Sequence, residues 1–301
     1  MVNMEEPCHH SRMTGRTPAD VETERAKRWW QTRRPIGSIE RAAAFVSDVG
    51  FALLFPHRTV SLPSLWAAAS DLPFGLSAED WSPEIQRVWG WKDELPLQRL
   101  AWYGRFIRGR PSFLSPAVLT DLYARSGQPE DFEEVPLRDD ARRVASVLLR
   151  SGPLPSAILR QAVNLQGKAG SARFSAALTE LGRALVVTYF GTEQEGSGWP
   201  SAVLELTVRV FDIPPRRDIE EGARRAATRF LQTMVSARPI DLALAFGWTT
   251  AEARAVLSDL ASGGTVVRDG TGFRADGDRQ PAPSQRRTPR NRTRSRSRIG
   301  T

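Results

Sequence analysis

Ala141-Arg142-Arg143-Val144-Ala145 opens a stretch that closes on Leu185-Val186-Val187-Thr188-Tyr189. The same pattern returns from Ala223-Arg224-Arg225-Ala226-Ala227 to Thr265-Val266-Val267-Arg268-Asp269. Equivalent points lie 82 residues apart at the start (142 to 224) and 80 apart at the end (186 to 266). The match is one of pattern and residue type, with few identities beyond the Ala-Arg-Arg starts. A repeated supersecondary unit sets the architecture before any motif is considered. The predicted fold is mainly α with small β-wings, built from tandem winged helix-turn-helix units. Units of this type most often grip DNA, with the last helix in the major groove.

In the first copy, 138–150 reads as a helix with Val144, Val147 and Leu148 on one face, stopped at Gly152-Pro153. Residues 155–163 make a short second helix and 171–182 a third, with Phe174, Ala177, Leu178 and Leu181 at helical spacing. Strands 185–189 and 202–208 pair as the wing. In the second copy the helices are 221–235, 240–246 and 250–262. Thr249 and Glu252 form a capping box there, and Gly263-Gly264 ends the helix. A hairpin of 265–268 with 272–275 follows.

Working outward, order begins at Ile36. Ser38 caps a helix that turns Ala42, Ala43, Phe45, Val46 and Val49 inward, and Gly50 ends it. A strand at 52–55, a helix from Leu62, and further helices at 97–107 and 116–125 follow, with 127–136 as an acidic linker. Residues 36–125 read as a distorted relative of the same unit. The predicted organisation is a disordered or arm-like extension at 1–35, with a short exposed helix over 19–34. An N-terminal domain at 36–136, units at 137–212 and 213–278, and a disordered Arg-rich tail at 279–301 complete it.

The net charge of +8 resides in that tail, which holds eight arginines and no acid. Residues 1–278 carry 34 basic and 34 acidic side chains, so a DNA-binding body needs local patches. A mean hydropathy of −0.36 and the lack of any apolar run near the ~20 residues of a membrane span predict no membrane partner. Glu5, Glu6 and Pro7 stand where a secretory signal needs an apolar core, and the single cysteine suits a reducing cytoplasm. Cys8-His9-His10 lacks a second ligand pair for a metal, and no phosphate-cradling glycine loop or other cofactor pattern is present.

The third helices of the two copies offer Lys168, Arg173, Ser175 and Thr179, and Thr250, Arg254 and Ser258, to guanine edges or phosphates. Glu180, Glu252, Asp259 and the wing acids Glu193 and Glu195 oppose this, and the units could instead pack on one another. Arg99, Arg105, Arg108 and Arg110 interleave with Trp102, Tyr103 and Phe106, giving phosphate-binding guanidiniums around aromatics that suit a core. Arg25 to Arg34, with Trp29 and Trp30, form a second basic-aromatic cluster: an arm that orders on DNA, or a silent extension. The densest segment is Val88-Trp89-Gly90-Trp91-Lys92-Asp93-Glu94-Leu95. It could form an apolar-walled pocket with acid/base groups, or a loop anchored by its tryptophans. His57, the one histidine in the ordered body, is either structural or a further acid/base group.

Gly50-Phe51-Ala52-Leu53-Leu54-Phe55-Pro56, Leu62-Pro63-Ser64-Leu65-Trp66 and Trp89-Gly90-Trp91-Lys92-Asp93-Glu94 together resemble the AlkZ-type (YcaQ-type) DNA glycosylase family, in particular its shorter AlkZ-related members. The similarity spans roughly 36–275, and the Trp-Gly-Trp-Lys-Asp-Glu string is its most specific part. The resemblance implies tandem winged helices with a concave face for double-stranded DNA, damaged DNA included. In the well-studied branch a glutamine-apolar-glutamine or glutamine-apolar-aspartate motif positions a water for excision of alkylated or crosslinked bases. Here that position falls at Leu54-Phe55-Pro56-His57, without glutamine or carboxylate. The leading reading is a cytoplasmic, nucleoid-associated protein of bacterial type that excises bases through Lys92, Asp93, Glu94 and His57. A non-catalytic DNA binder or regulator, and a protein-interaction platform, are the other two readings.

Overall fold

The chain enters through helix α1 (Pro18–Arg28), capped by Thr17, whose side chain closes a capping box with Asp20. No residue of α1 itself is buried, so its anchoring falls to the two tryptophans that follow. Trp29 donates its indole N–H to the Thr233 carbonyl at 2.9 Å, and Trp30 donates to Asp48 Oδ2 at 2.6 Å. Arg25 donates to the carbonyls of Met234 and Ser236. The exposed helix is present, but the ordered body does not begin at Ile36: both indoles that follow α1 lie in the core. The computed structural model describes residues 17–75, 81–194, 200–215 and 218–275. Residues 1–16 with Cys8-His9-His10, the wing acid Glu195, and the tail at 279–301 lie outside the described residues.

One order of elements then occurs three times. The first set is α2 (Ile39–Val49), β1 (Phe51–Leu53), α3 (Leu65–Ala69), α4 (Pro83–Leu97), β2 (Trp102–Gly104) and β3 (Ser112–Leu114). After α5 (Pro116–Leu122) and a 3-10 turn, the second set is α6 (Asp139–Ser151), β4 (Leu154–Pro155), α7 (Ser156–Ala162), α8 (Gly167–Arg183), β5 (Val187–Glu193) and β6 (Ser201–Leu206). A single turn, α9 (Thr207–Val210), leads to the third set. It comprises α10 (Ile219–Met234), β7 (Ser236–Ala237), α11 (Pro239–Phe246), α12 (Thr250–Ser262), β8 (Val266–Asp269) and β9 (Gly272–Ala275). Each sheet is antiparallel with its last strand in the centre: β1-β3-β2, β4-β6-β5 and β7-β9-β8. The molecule is thus mainly helical with small antiparallel sheets.

Local chemistry explains many of the ends. Ser38 accepts from Arg41 N, and Gly50 ends α2 with φ +82°, a conformation that side-chain-bearing residues rarely adopt. Thr249 and Glu252 close their capping box at the start of α12. Proline stands in the first turn of α4, α5 and α11, where its missing N–H is no loss.

Two sequence expectations are overturned by packing. The predicted helix over 97–107 is strand β2, with Trp102 paired to Leu114 and wholly buried. Arg99 and Arg108 adopt positive φ around it, so Arg105 and Arg108 do not share a helical face. The Trp-Gly-Trp-Lys-Asp-Glu string is not a loop: it lies within α4. The acidic stretch 127–136 folds as a 3-10 turn in which buried Asp131 accepts from the Tyr123 hydroxyl and the Gly127 and Gln128 amides.

The largest core unites the first and third sets. Phe51 of β1 stacks on Phe230 of α10 at 5.4 Å and meets Phe246 of α11 edge-on at 5.6 Å. A second core lies under α2, α3 and α4, and a third belongs to the middle set, around Val144, Leu148, Phe174 and Leu181. No helix among the described residues is long and apolar enough to cross a membrane.

Candidate active site

Helix α4 starts at Ser82, whose hydroxyl accepts from Ile85 N at 3.3 Å, and buries Ile85, Val88, Trp91 and Leu95 against the core. Residues three and four apart share a helix face, so Trp89, Lys92 and Asp93 come together on the side that meets the middle set. Lys92 Nζ lies 2.6 Å from each Asp93 carboxylate oxygen and 4.7 Å from the Trp89 ring centroid. Glu94 falls outside this face and is exposed.

The other walls come from β2 and from the β5–β6 hairpin. Tyr103, Gly104, Arg105 and Pro111 form one side; Tyr189, Thr192, Pro200 and Ala202 form the other. An odd spacing of three would put Tyr189 and Thr192 on opposite faces of a regular strand. The pairing shifts from Tyr189↔Leu204 to Thr192↔Ala202, so β5 holds one extra residue there. That bulge turns both side chains to the same cavity. The Tyr103 and Tyr189 rings meet edge to face at 5.1 Å. The open cavity is about 480 Å³, within the roughly 300–1,000 Å³ typical of small-molecule sites.

Electrostatics separate the two carboxylates of the motif. Burial raises the pKa of Asp93 above the ordinary carboxylate value, against the opposing pull of Lys92. Burial also pushes the Tyr103 hydroxyl well above its usual range, with Tyr189 and Asp93 adding to the effect. At neutral pH Tyr103 therefore presents a donor beside the Lys92–Asp93 pair. The arrangement offers one carboxylate, one ammonium, one phenol and two aromatic walls to a planar ligand.

Arg105 joins Lys92 and Asp93 as a cavity residue that the sequence singled out, and it reaches across to Ser175 Oγ at 2.9 Å and Thr179 Oγ1 at 3.3 Å. Ser175 and Thr179, read as outward-facing on α8, thus turn toward the first set. Gly182 of the same helix lets the backbones touch, since a Cβ there would sit 2.9 Å from Arg105 N. His57 lies away from the cavity, with Thr59 Oγ1 3.1 Å from its Nδ1. Partial burial and the nearby Arg110 and Arg108 charges lower its pKa, so it is neutral at physiological pH.

The remaining arginines fall in two groups. Arg108 and Arg110 follow Arg105 along one segment beside the cavity wall, and Arg108 donates to the Thr59 carbonyl at 3.3 Å. Arg99 is exposed just beyond α4. Lys168 and Arg254 are exposed on α8 and α12, whereas Arg173 is held by two 2.7 Å bonds to Asp140. Among the cavity residues that sequence reading did not assign to a site are Tyr189 and Thr192, which bring polar side chains, and Pro111, Pro200 and Ala202, which do not.

Phe55, where the resemblance places a catalytic motif, stacks instead on Phe74 at 4.4 Å and on Trp89 at 6.2 Å. It belongs to an aromatic cluster backing the cavity wall. Comparison with known proteins bears on this site. No curated protein matches the chain. Among solved structures it is similar to the Streptomyces sahachiroi DNA glycosylase AlkZ, at 15% identity and a TM-score of 0.50, over 85% of this chain and 68% of that one. At that identity the likeness is one of fold. The family model described as AlkZ related matches residues 36–242, more than half of the sequence. The chain belongs to the AlkZ-related family.

Proposed function

We propose that the protein binds duplex DNA and hydrolyses the N-glycosidic bond of a damaged base held in the cavity between its first and middle sets. The observation that carries this is the placement of Asp93. A carboxylate with a raised pKa lies in an aromatic-walled cavity that Arg105 also lines, with Arg108 and Arg110 following in the chain. The triplicated order of elements supports reading the sets as winged helices, whose bundled faces suit a duplex.

In this reading Arg105, Arg108 and Arg110 neutralise backbone phosphates near the cavity mouth. Trp89 and Tyr189 supply the stacking surfaces that a displaced base needs. The Asp93 carboxylate stabilises the cationic sugar as the base departs with the electron pair of the broken bond, and then takes a proton from the water that adds to C1′. Lys92 fixes the orientation of that carboxylate.

The place of Phe55 favours a second reading, a DNA binder without excision, because an aromatic ring stands where a water-positioning polar group is expected. The two readings separate with the full chain carrying glutamine at its eight tail arginines. Salt-sensitive duplex binding with release of free base from alkylated or crosslinked DNA supports the enzyme. Binding that leaves those bases attached supports the second reading, and no binding at low salt removes both.

A further inference from the structure

Of the 42 basic side chains in this protein, only Lys27, Lys92 and Lys168 are lysines. Arginine supplies nearly all the positive charge, so a lysine stands out wherever a simple cation would serve. Lys27 and Lys168 are exposed. Among the three, Lys92 alone is buried, 9% accessible, and it lines the cavity. Arginine pairs with a carboxylate at least as well as lysine does, and is bidentate by geometry. What it cannot do is lose its proton and act as a nucleophile. A lysine can, once a neighbouring base has taken its proton.

We propose that Lys92 is an amine nucleophile that forms a Schiff base with the aldehyde of an abasic deoxyribose and cuts the strand by β-elimination. The inference rests on the reading that a DNA sugar enters this cavity, and adds a second activity to it. Asp93, 2.6 Å from Nζ, takes one ammonium proton. The freed nitrogen attacks C1′ of the ring-opened sugar, forming the C–N bond of a carbinolamine. Asp93 returns the proton to the departing hydroxyl, water leaves, and a protonated imine remains. The carboxylate then removes a proton from C2′, and the C3′–O bond breaks with its electron pair on the leaving phosphate. Water hydrolyses the unsaturated imine and restores Lys92. The raised pKa of Asp93 brings its basicity nearer to what such proton shuttling needs.

The test incubates the full chain with duplex DNA holding a single preformed abasic site, in the presence of sodium borohydride. Reduction of the imine should give a covalent protein–DNA adduct, and peptide mapping should place it on Lys92. Lys92→Arg keeps the ion pair and should lose the adduct and the strand cut; Lys92→Met, checked by melting, should lose them as well. An adduct mapped to Lys27, Lys168 or the amino terminus, or one that survives in Lys92→Arg, overturns the proposal. So does binding of the abasic duplex by the wild-type chain without any adduct. Because the substrate already lacks its base, failure to release damaged bases leaves this result intact. Failure to bind DNA at all removes both proposals.

Discussion

The first set of elements meets its two neighbours through unlike surfaces. Against the third set it presents mainly rings: Phe51 on Phe230 and Phe246, and Phe106 on Phe246 at 6.3 Å, with Arg229 and Thr233 of α10 donating to the Asp48 and Val49 carbonyls at the edge. Trp29 clamps that union from outside through its bond to Thr233. Against the middle set it presents polar groups. Thr188 links to the Tyr103 backbone, the Trp102 indole donates to Thr207, and Arg105 reaches Ser175 and Thr179. Only this second junction encloses the Lys92–Asp93 pair. An apolar junction needs no further justification than burial. A polar, hollow junction buries less apolar surface, so the two should fail in different ways.

Phe230→Ala should break the first junction. It removes a fully buried ring with two aromatic partners, and should cost about 3–5 kcal/mol in denaturant unfolding. A loss below about 1 kcal/mol would mean that the third set is held by something other than this core. Asp93→Asn should do the reverse. Stability should change little, while base release should fall by roughly 10²–10⁴-fold, the range for loss of a general base. Duplex affinity should persist. In the wild type, release should decline as pH falls through an Asp93 pKa above the ordinary carboxylate value, because only the ionised form accepts a proton. A flat profile down to the normal carboxylate range would remove Asp93 from that role.

The two junctions were not equally legible in the sequence. Helix α2, the capping box of α12 and the repeated helix-helix-helix-hairpin pattern follow from local periodicity and end signals, which act over a few residues. The third strand of each later sheet, Leu154–Pro155 or Ser236–Ala237, is two residues long and has no periodicity to detect. Trp102 and Phe106 at helical spacing made 97–107 look helical, yet sheet pairing and complete burial of Trp102 prevailed. The Lys92–Asp93 pair drew attention by residue type. Its partners Tyr189 and Thr192 did not, because a bulge in a distant hairpin decides where they point.

A milder perturbation acts on the second junction through its backbone. Gly182→Ala places a methyl group 2.9 Å from Arg105 N, where neither the helix nor the β2 edge can yield by side-chain rotation. Overpacking of this kind costs about 1–3 kcal/mol. The damage should also appear as a loss of base release that exceeds what the stability change explains, since α8 and β2 together position the cavity wall. Unaltered release in a destabilised protein would show the cavity to be independent of that approach.

The smallest effect asks which face the duplex follows. If the hollow junction is the working one, phosphates should lie along Arg105, Arg108 and Arg110 rather than over α12. Removing one guanidinium that neutralises a phosphate should lower the slope of log affinity against log salt by about 0.9. Arg108→Ala should show that change, since Arg108 is exposed, stands in the chain between the cavity residues Arg105 and Pro111, and makes a 3.3 Å bond to the Thr59 carbonyl. Arg254→Ala should leave the slope unaltered, although Arg254 is equally exposed on the third helix of its set. The opposite pattern would carry the DNA to the third set and leave the cavity without access to a base. Exposure alone cannot separate these two arginines; what distinguishes them is that Arg108 follows the cavity wall and Arg254 does not.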